Sequence, residues 1–336
     1  MLRNLILFLN PFVYLALLVS FLKKIKWALL KFKLFYAHHS LTEVCVWGPV
    51  RILQKNSQIV IGRGTEIHPY VDLFADPQST LKIGNKCKIG QRTQLVSHKN
   101  NILKIGDSTS FHSDCSVVGE VTIGKNCLFA RHIFVSSYDH QFNKEPYLPI
   151  KEQDKKYPLI SKPVKIDDDC WIGWGVAIRS GLHIGKGVIV GANSVVTKNL
   201  KPYRIYGGIP AKEIGLRLEF TPPETLIYSL AEHRPYFYEN LDLRANCYQS
   251  TDAIWSLACP LLKPGTIMFK TLPSQQNSIY LTVGQKKIQG HWTSNEILTF
   301  NIDSHDLDHI NTDEKYAILK FESTDSINIT EVQFPC

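Results

Sequence analysis

Apolar residues recur along the middle of the chain in a six-residue pattern. An aliphatic residue leads each unit, glycine usually follows, and a small or β-branched residue stands four positions after the lead. A helix would repeat every 3.6 residues and a long strand every two, so a short strand followed by a turn fits better. The units begin at Ile61, Ile83, Ile89, Ile105, Ile123, Ile172, Ile184 and Val190.

The spacing of these units predicts a three-sided coil. Ile105 and Ile123 lie 18 positions apart, and three six-residue sides close one turn of a prism. Ile61 and Ile83 lie 22 positions apart, which adds four residues at one corner. The leading aliphatic side chains would stack inside the prism at the ~4.8 Å spacing of neighbouring strands. The small residue of each unit would fit beside them.

The cysteines follow the same pattern. Four of the eight occupy the small position of a unit, which predicts small buried side chains and neither nucleophiles nor metal ligands. The sequence has no CxxC pair, and a chain of 336 residues does not need a disulfide framework. The four are Cys87, Cys115, Cys127 and Cys170.

The first forty residues differ from the rest of the chain. The 18 residues from Leu5 to Leu22 carry no charge, although Asn10 and Pro11 weaken the prediction of one straight helix. Lysines interleaved with aromatic residues follow, as in helices that lie on an anionic membrane surface. We predict a membrane-associated helical segment over 1–40, peripheral or anchored at the cytoplasmic face of the bacterial inner membrane. A signal peptide and a buried core helix are the alternatives.

Net charge argues against nucleic acid as a partner. The formal charge is +8, but six of the 38 basic residues precede Glu43, the first acid. The other 32 nearly balance the 30 acidic residues, so the body of the protein is close to neutral.

The last third of the chain has a different pattern of apolar and polar residues. Residues 218–245 are predicted to form a linker with a short helix near 224–231. Residues 246–336 alternate apolar and polar positions between turn signals, which predicts a small antiparallel β-sandwich. Trp255 and Trp292 could stack on sugars or fill a core.

The repeats resemble a known family. The run "IDDDCWIGWGVAIRSGLHIGKGVIVGANSVVTKNLKPYRIYGGIPAK", residues 166–212, resembles the hexapeptide-repeat acyltransferases. It is most similar to sugar and polysaccharide O-acetyltransferases, such as the maltose, galactoside, O-antigen and capsule enzymes. "LPIKEQ", residues 148–153, resembles a loop motif of members that act on surface polysaccharides. The resemblance implies a mainly β fold, with a left-handed parallel β-helix over 41–217.

A break in the repeat marks the predicted active site. Residues 141–165 leave the coil directly after His140 and must project from a corner. The resemblance implies a homotrimer with the active site between two prisms and His140 as the general base. A neutral imidazole can accept the proton of a sugar hydroxyl that attacks a thioester carbonyl. Asp139 either orients the imidazole or starts the turn.

The same resemblance implies a site for acetyl-CoA. Ala192, Thr197, Lys198 and Lys212 match residues that contact this co-substrate, and the lysines suit its anionic phosphates. Trp174 stands where the family usually has a small residue. We predict that its bulk narrows the channel and restricts the donor to acetyl-CoA.

The acceptor side is less well defined by the sequence. Trp171 matches a tryptophan near the mouth of the family's site. Asp114 falls where sugar-binding members carry an asparagine, so it is either an acceptor contact or a charged corner residue. No metal is expected, because His112 and His132 do not match the close histidine pair of the zinc enzymes that share this fold.

These observations favour an acetyl-CoA-dependent O-acetyltransferase that modifies a cell-surface polysaccharide or its lipid-linked precursor. The alternatives are an N-acetyltransferase of an amino nucleotide-sugar and a non-catalytic, trimeric glycan-binding scaffold.

Overall fold

The computed structural model describes residues 43–54, 56–273, 277–283, 286–307 and 316–335. The membrane-associated segment predicted over 1–40 lies outside these ranges. Within them, no helix has both the length and the apolar character needed to cross a bilayer. The chain divides into two compact units, the first ending at Leu218 and the second spanning Glu219–Cys336.

The described part of the first unit consists almost entirely of short strands. In chain order its elements are β1 (Cys45–Val46), β2 (Arg51–Gln54), β3 (Gln58–Ile61), β4 (Glu66–Ile67), β5 (Asp72–Ala75), β6 (Thr80–Ile83), β7 (Lys88–Ile89), β8 (Gln94–Ser97), β9 (Ile102–Ile105), β10 (Ser110–Phe111), β11 (Ser116–Val118), β12 (Val121–Ile123), β13 (Leu128–Phe129), β14 (Phe134–Ser136), α1 (Ile150–Lys156), β15 (Val164–Ile166), β16 (Trp171–Ile172), β17 (Ala177–Ile178), β18 (His183–Ile184), β19 (Ile189–Val190), β20 (Val195–Val196), β21 (Arg204–Gly207) and β22 (Lys212–Leu216).

Every third strand belongs to the same face of a prism. The first face has the order β1-β4-β7-β10-β13-β16-β19-β21-β22, the second β2-β5-β8-β11-β14-β17-β20 and the third β18-β15-β12-β9-β6-β3. Neighbours are parallel, except for the β21–β22 pair. Leu73, Leu95, Val117, Val135 and Ile178 are in register on successive strands of the second face, and all are buried. The predicted parallel β-helix is confirmed.

Close approach between coils explains the six-residue motif. A Cβ on Gly62 would stand 2.5 Å from the carbonyl carbon of Gly84 in the next coil, so only glycine fits after the leading aliphatic residue. The small position does more than save space. Thr65 Oγ1 donates to the Gly84 carbonyl at 2.8 Å, and Cys127 Sγ donates to the Asp167 carbonyl at 3.2 Å. The four cysteines of the repeat are buried and free, as predicted.

Three excursions leave the prism at one corner, between the second and third faces. Residues 76–79 and 98–101 are the four-residue additions predicted from the 22-residue spacing. The long loop also leaves there, after β14, and contains α1. The coil resumes at Val164, so the loop ends two residues before its predicted end at 165. We call this edge the insertion corner, and the edge between the first and second faces the first corner.

The second unit is an antiparallel sandwich. Its elements are β23 (Thr225–Ile227), a 3₁₀ helix (Ala231–Tyr236), β24 (Phe237–Glu239), β25 (Leu241–Leu243), β26 (Tyr248–Ser250), β27 (Ile254–Pro260), β28 (Gly265–Thr271), β29 (Ile279–Val283), β30 (Lys286–Gln289), β31 (His291–Trp292), β32 (Ile297–Ile302), α2 (Ser304–Leu307), β33 (Tyr316–Ser323) and β34 (Asn328–Gln333). One sheet has the order β25-β26-β34-β28-β32-β31, with β23 beside β34, and the other β24-β27-β33-β29-β30.

The structure differs from the sequence-based expectation in two places here. Residues predicted as a linker supply strands β23, β24 and β25, because Leu226 and Phe237 are buried in the sandwich. The short helix is a 3₁₀ helix, which begins where the predicted helix was to end. Trp255 is fully buried and stacks on Phe321 with ring centroids 4.4 Å apart, so it fills the core and cannot stack on a sugar.

Candidate active site

His140 meets a carboxylate that lies fourteen residues further along the chain. Its Nδ1 is 2.6 Å from Oδ2 of Asp154, which α1 presents. The other oxygen of that carboxylate accepts the backbone N–H of Gln141 at 2.8 Å. One carboxylate therefore holds both the imidazole and the main chain beside it. With Nδ1 donating to Asp154, the lone pair of a neutral imidazole lies on Nε2.

The surroundings of this pair suit a base. The His140 side chain is 76% exposed, so Nε2 can meet a ligand from outside. The backbone N–H of Gln141 and, to a smaller extent, the contact with His140 hold the pKa of Asp154 below its usual value, although partial desolvation opposes this. Asp154 is therefore a carboxylate at neutral pH and can stabilise an imidazolium.

Asp139 does not orient the imidazole in this geometry. Its Oδ2 accepts the Ser180 hydroxyl at 2.7 Å, and it lies 3.5 Å from Lys162 Nζ and 3.8 Å from an Arg179 guanidinium nitrogen. The Ser180 hydrogen bond is the main reason that the pKa of Asp139 lies below its ordinary value. Asp139 thus ties the start of the loop to the next coil, and Asp154 takes the role considered for it.

The last residue of the "LPIKEQ" motif organises the loop. Gln153 is buried, and its Oε1 accepts the backbone N–H groups of Lys144 and Glu145, each at 3.1 Å. Its Nε2 donates to the carbonyls of Phe142 at 3.3 Å and Leu148 at 2.9 Å. A single amide therefore binds four backbone groups of the segment that leads into α1.

The outer surface of the loop is apolar despite this internal order. Five large side chains are exposed on it: Phe142, Tyr147, Ile150, Leu159 and Ile160. Such a concentration on one projecting segment is typical of a surface that meets another molecule.

Two of the predicted acetyl-CoA residues share the insertion corner with His140. Thr197 and Lys198 follow β20 and are exposed. Their coil is directly adjacent to the one that carries Arg179 and Ser180, because the Arg179 N–H donates to the Val196 carbonyl at 3.2 Å. Since Ser180 bonds to Asp139, the structure brings Thr197 and Lys198 to the edge from which His140 projects.

The remaining predicted acetyl-CoA residues lie elsewhere. Trp174 and Ala192 stand at the first corner, where the Asn193 N–H donates to the Trp174 carbonyl at 2.7 Å. The Trp174 ring is 48% exposed and rests edge-on against His132, with centroids 5.6 Å apart. Lys212 is exposed at the start of β22, on the first face.

The two sets lie at different corners of the prism. Trp174 and Ser180 are six positions apart, with strand β17 between them. At ~3.3 Å per extended residue the two corners stand up to ~20 Å apart. Each corner therefore presents part of the predicted site.

The predicted acceptor residues have different surroundings. Trp171 is 53% exposed on the first face and lines a pocket of about 530 Å³. Asp114 adjoins this pocket, but both of its oxygens accept from Arg92, at 2.6 and 2.8 Å. This pair is the largest cause of the lowered pKa of Asp114. Asp114 also has φ of 65°, a conformation that favours Asp and Asn. It is therefore a structural corner residue here, which disfavours the acceptor role.

Asp154 and Gln153 are the functional candidates that sequence reasoning missed. They lie outside the repeat, so no spacing relates them to His140; the "LPIKEQ" motif was the available signal. Within the described ranges, no group of three His, Cys, Asp or Glu side chains is placed to hold a metal ion.

Comparisons with known proteins agree with the fold and the repeat. Residues 163–198 match the family described as bacterial transferase hexapeptide (six repeats). The chain is 33% identical to a probable macrolide acetyltransferase of Lysinibacillus sphaericus, over 39% of this chain and 78% of that protein. It is 34% identical to a putative lipopolysaccharide biosynthesis O-acetyl transferase of Escherichia coli K12, over 40% of this chain and 71% of that protein.

Other similarities are more partial. A probable acetyltransferase of Mycobacterium tuberculosis is 30% identical over 56% of this chain, which spans 55% of that relative's length. Among solved structures, the polysialic acid O-acetyltransferase OatWY is 20% identical with a TM-score of 0.41, covering 57% of this chain and 96% of that one. The Lysinibacillus and E. coli relatives, of which this chain spans more than two thirds, are both named as acetyltransferases. The chain belongs to the hexapeptide-repeat acetyltransferases.

Proposed function

We propose that the protein is an acetyl-CoA-dependent O-acetyltransferase that modifies a hydroxyl of a bacterial cell-surface polysaccharide, or its lipid-linked precursor. The observation that carries this proposal is the His140–Asp154 pair on the same corner as Thr197 and Lys198. The E. coli relative named for lipopolysaccharide biosynthesis supports a glycan acceptor.

The reaction follows from the orientation of the imidazole. Nε2 of His140 removes the proton of the acceptor hydroxyl as its oxygen attacks the thioester carbonyl carbon. Asp154, on Nδ1, stabilises the imidazolium that forms. The carbon–sulfur bond then breaks, and the imidazolium returns its proton to the departing CoA sulfur. The transfer is direct, because the cysteines of the repeat are buried inside the prism; burial raises the pKa of Cys115 to about 11.

A second copy of the chain completes the site in this proposal. The first corner carries Trp174 and Ala192, and the insertion corner carries His140, Thr197 and Lys198. We infer that one acetyl-CoA touches both sets where the first corner of one prism faces the insertion corner of another. Repeating this heterologous contact around an axis gives a closed ring, and we propose a homotrimer. The exposed apolar side chains of the loop support such a contact.

The cellular setting follows from the sequence. The uncharged run from Leu5 to Leu22 and the lysines after it favour attachment at the cytoplasmic face of the inner membrane. Activated sugars and acetyl-CoA are both present on that side.

The donor is proposed to be acetyl-CoA rather than a longer acyl-CoA. Trp174 presents a large, half-exposed ring at the first corner, held against His132. Its bulk leaves less room beside the pantetheine arm than a small residue would. Transfer from succinyl-CoA should therefore be much slower than from acetyl-CoA.

The test is a thiol-release assay with labelled acetyl-CoA and a panel of bacterial polysaccharides and lipid-linked precursors. We expect His140→Gln to lower transfer by roughly 100-fold or more, because general-base catalysis contributes about that much. The matched control is His98→Gln: His98 Nδ1 also contacts an aspartate, Oδ2 of Asp76 at 2.8 Å, on the same corner.

The outcomes are distinct. Labelled product that mild base hydrolyses supports an ester, whereas product stable to base would indicate N-acetylation. A His140→Gln variant that transfers acetyl groups as fast as the wild type would falsify the proposed role of His140. If no member of the panel causes thiol release, a glycan-binding scaffold becomes the better explanation of the structure.

A further inference from the structure

The pocket on the first face has a charge that the reaction does not explain. Lys88 and Arg131 line it together with the imidazoles of His68 and His112, and no carboxylate is among its lining residues. Of the nearby acids, Asp114 is neutralised by Arg92, and Glu66 lies beside Lys88 in register and 3.6 Å from His68. The pocket therefore carries a net positive charge.

Lys88 and Arg131 have no acidic partner within the part of the chain that the structure describes. Among the described residues, neither Lys88 nor Arg131 forms an ion pair, although most of the other arginines of this unit do. Arg131 Nε donates to Nδ1 of His112 at 3.2 Å, which fixes its guanidinium at the edge of the imidazole. That contact uses only one of the five N–H donors of the guanidinium. The guanidinium is thus held in place, and its other N–H groups can donate to a ligand.

The rest of the pocket suits a sugar ring. Trp171 and Leu128 are partners on adjacent strands of the first face and are both about half exposed. An exposed indole beside polar groups is a surface on which the apolar face of a pyranose can pack. Ser110 and Ser113 are also among the lining residues.

We propose that this pocket binds an acidic sugar unit of the acceptor, with its carboxylate on Arg131 and Lys88 and its ring on Trp171. The inference rests on the proposed function and adds the class of acceptor, a polysaccharide that carries carboxylates. A planar guanidinium matches the two oxygens of a carboxylate, which is the geometry that favours an acidic sugar.

The phosphates of CoA are the competing anions, since Trp174 lies in the coil next to Arg131. The experiment therefore measures binding and transfer separately. The full chain is titrated with oligomers of a uronic acid and of sialic acid, and with the same oligomers after reduction of their carboxyls to alcohols. Adenosine 3′,5′-bisphosphate serves as the probe for the donor.

We expect at least one acidic oligomer to bind roughly tenfold more tightly than its reduced form, and this preference to weaken as salt is raised. Arg131→Gln and Lys88→Gln should each remove most of the preference. Lys104→Gln, which changes an exposed lysine on the third face, is the matched control and should leave it intact.

Equal binding of acidic and reduced oligomers overturns the inference, and so does an Arg131→Gln variant that keeps the preference. Displacement of the acidic oligomer by adenosine 3′,5′-bisphosphate would assign the pocket to the donor instead. Thiol release separates this result from the proposed function. If transfer to neutral and to acidic glycans is equally fast, and stays so in Arg131→Gln, the proposed role of the pocket is refuted but the proposed function is not. If no glycan is acetylated, the proposed function is refuted, and the titration still shows whether the pocket binds an acidic sugar.

Discussion

His140 projects from a coil, but its partner Asp154 comes from a helix inside the loop. The sequence could identify His140, because the repeat fails directly after it and the family has a histidine there. It could not identify Asp154, because a contact between a coil and an irregular loop leaves no periodic trace. Asp139, adjacent in sequence, was the natural candidate, yet its carboxylate points to Ser180. Nearness along the chain was therefore misleading.

Replacing the carboxylate tests the role of Asp154. In Asp154→Asn an amide can donate to Nδ1 and so favour the tautomer that carries its proton on Nε2, which cannot act as the base. We expect kcat to fall by roughly 100-fold while KM for acetyl-CoA stays within about twofold. The measurement is steady-state transfer kinetics over a range of pH. Asp76→Asn removes the comparable partner of His98 and should change neither constant. Equal losses in the two variants would mean that Asp154 matters only for folding.

The long loop is the element that connects the sequence motif to the site. Its residues have no strand partners apart from a single bridge between Tyr138 and Ser161. Gln153 supplies the order instead, by binding four backbone groups. The sequence predicted that the loop projects, and the motif marked Gln153. The internal hydrogen bonding of the loop could not be predicted, because side chain to backbone contacts follow no repeat.

Removal of the Gln153 amide should open the loop without disturbing the coil. In Gln153→Ala two N–H groups and two carbonyls lose their partner, which costs about 1–3 kcal/mol in the free energy of loop opening. Hydrogen exchange of residues 142–148 should rise by roughly 10- to 100-fold, while the strands of the prism keep their protection. Lys151→Ala, an exposed residue of the same helix, should leave exchange unchanged. Loss of protection throughout the prism would show instead that loop and coil unfold together.

Acid should release the same loop. The pKa of Asp139 and that of Asp154 are both lower in the folded protein than in an unfolded chain. Their contribution to loop stability is therefore complete above the ordinary aspartate pKa of about 3.9, and is lost as pH falls through the lower folded values. We expect constant protease resistance of the loop between about pH 7 and 5 and a decrease below about pH 4. Asp139→Asn should show a smaller decrease. A transition near neutral pH would point to a different group.

At the scale of the whole molecule, the sequence predicted the two folded regions with different success. The prism was predictable because every coil repeats the same constraint: a glycine against the next coil and a small donor beside the core. The sandwich was predictable as a class from alternation alone. Its start was not, because β23, β24 and β25 are short and lie among prolines and aromatics. The burial of β23, moreover, depends on a partner from the far end of the chain, β34.

The sandwich has its own hydrophobic core. A substitution in that core should therefore destabilise the sandwich and leave the prism as stable as before. Trp255 packs against Phe269 and Phe321 at its centre. Trp255→Ala should destabilise this unit by about 3–5 kcal/mol. Calorimetry should show one thermal transition moving down while the transition of the prism stays in place, with thiol release per folded prism unchanged. Trp292→Ala, which removes a half-buried side chain, should have a smaller effect. A parallel shift of all transitions would show that the units unfold as one.

The insertion corner separates what must stay constant in this protein from what is free to vary. All three excursions begin and end where a strand of the second face gives way to one of the third, so their length does not alter the pairing of any coil with its neighbours. Diversification among related enzymes can therefore proceed by lengthening or exchanging segments at this edge while the ladder beneath keeps its geometry. Transplanting residues 139–163 into another member should carry over the surroundings of the histidine and leave the host's scaffold untouched.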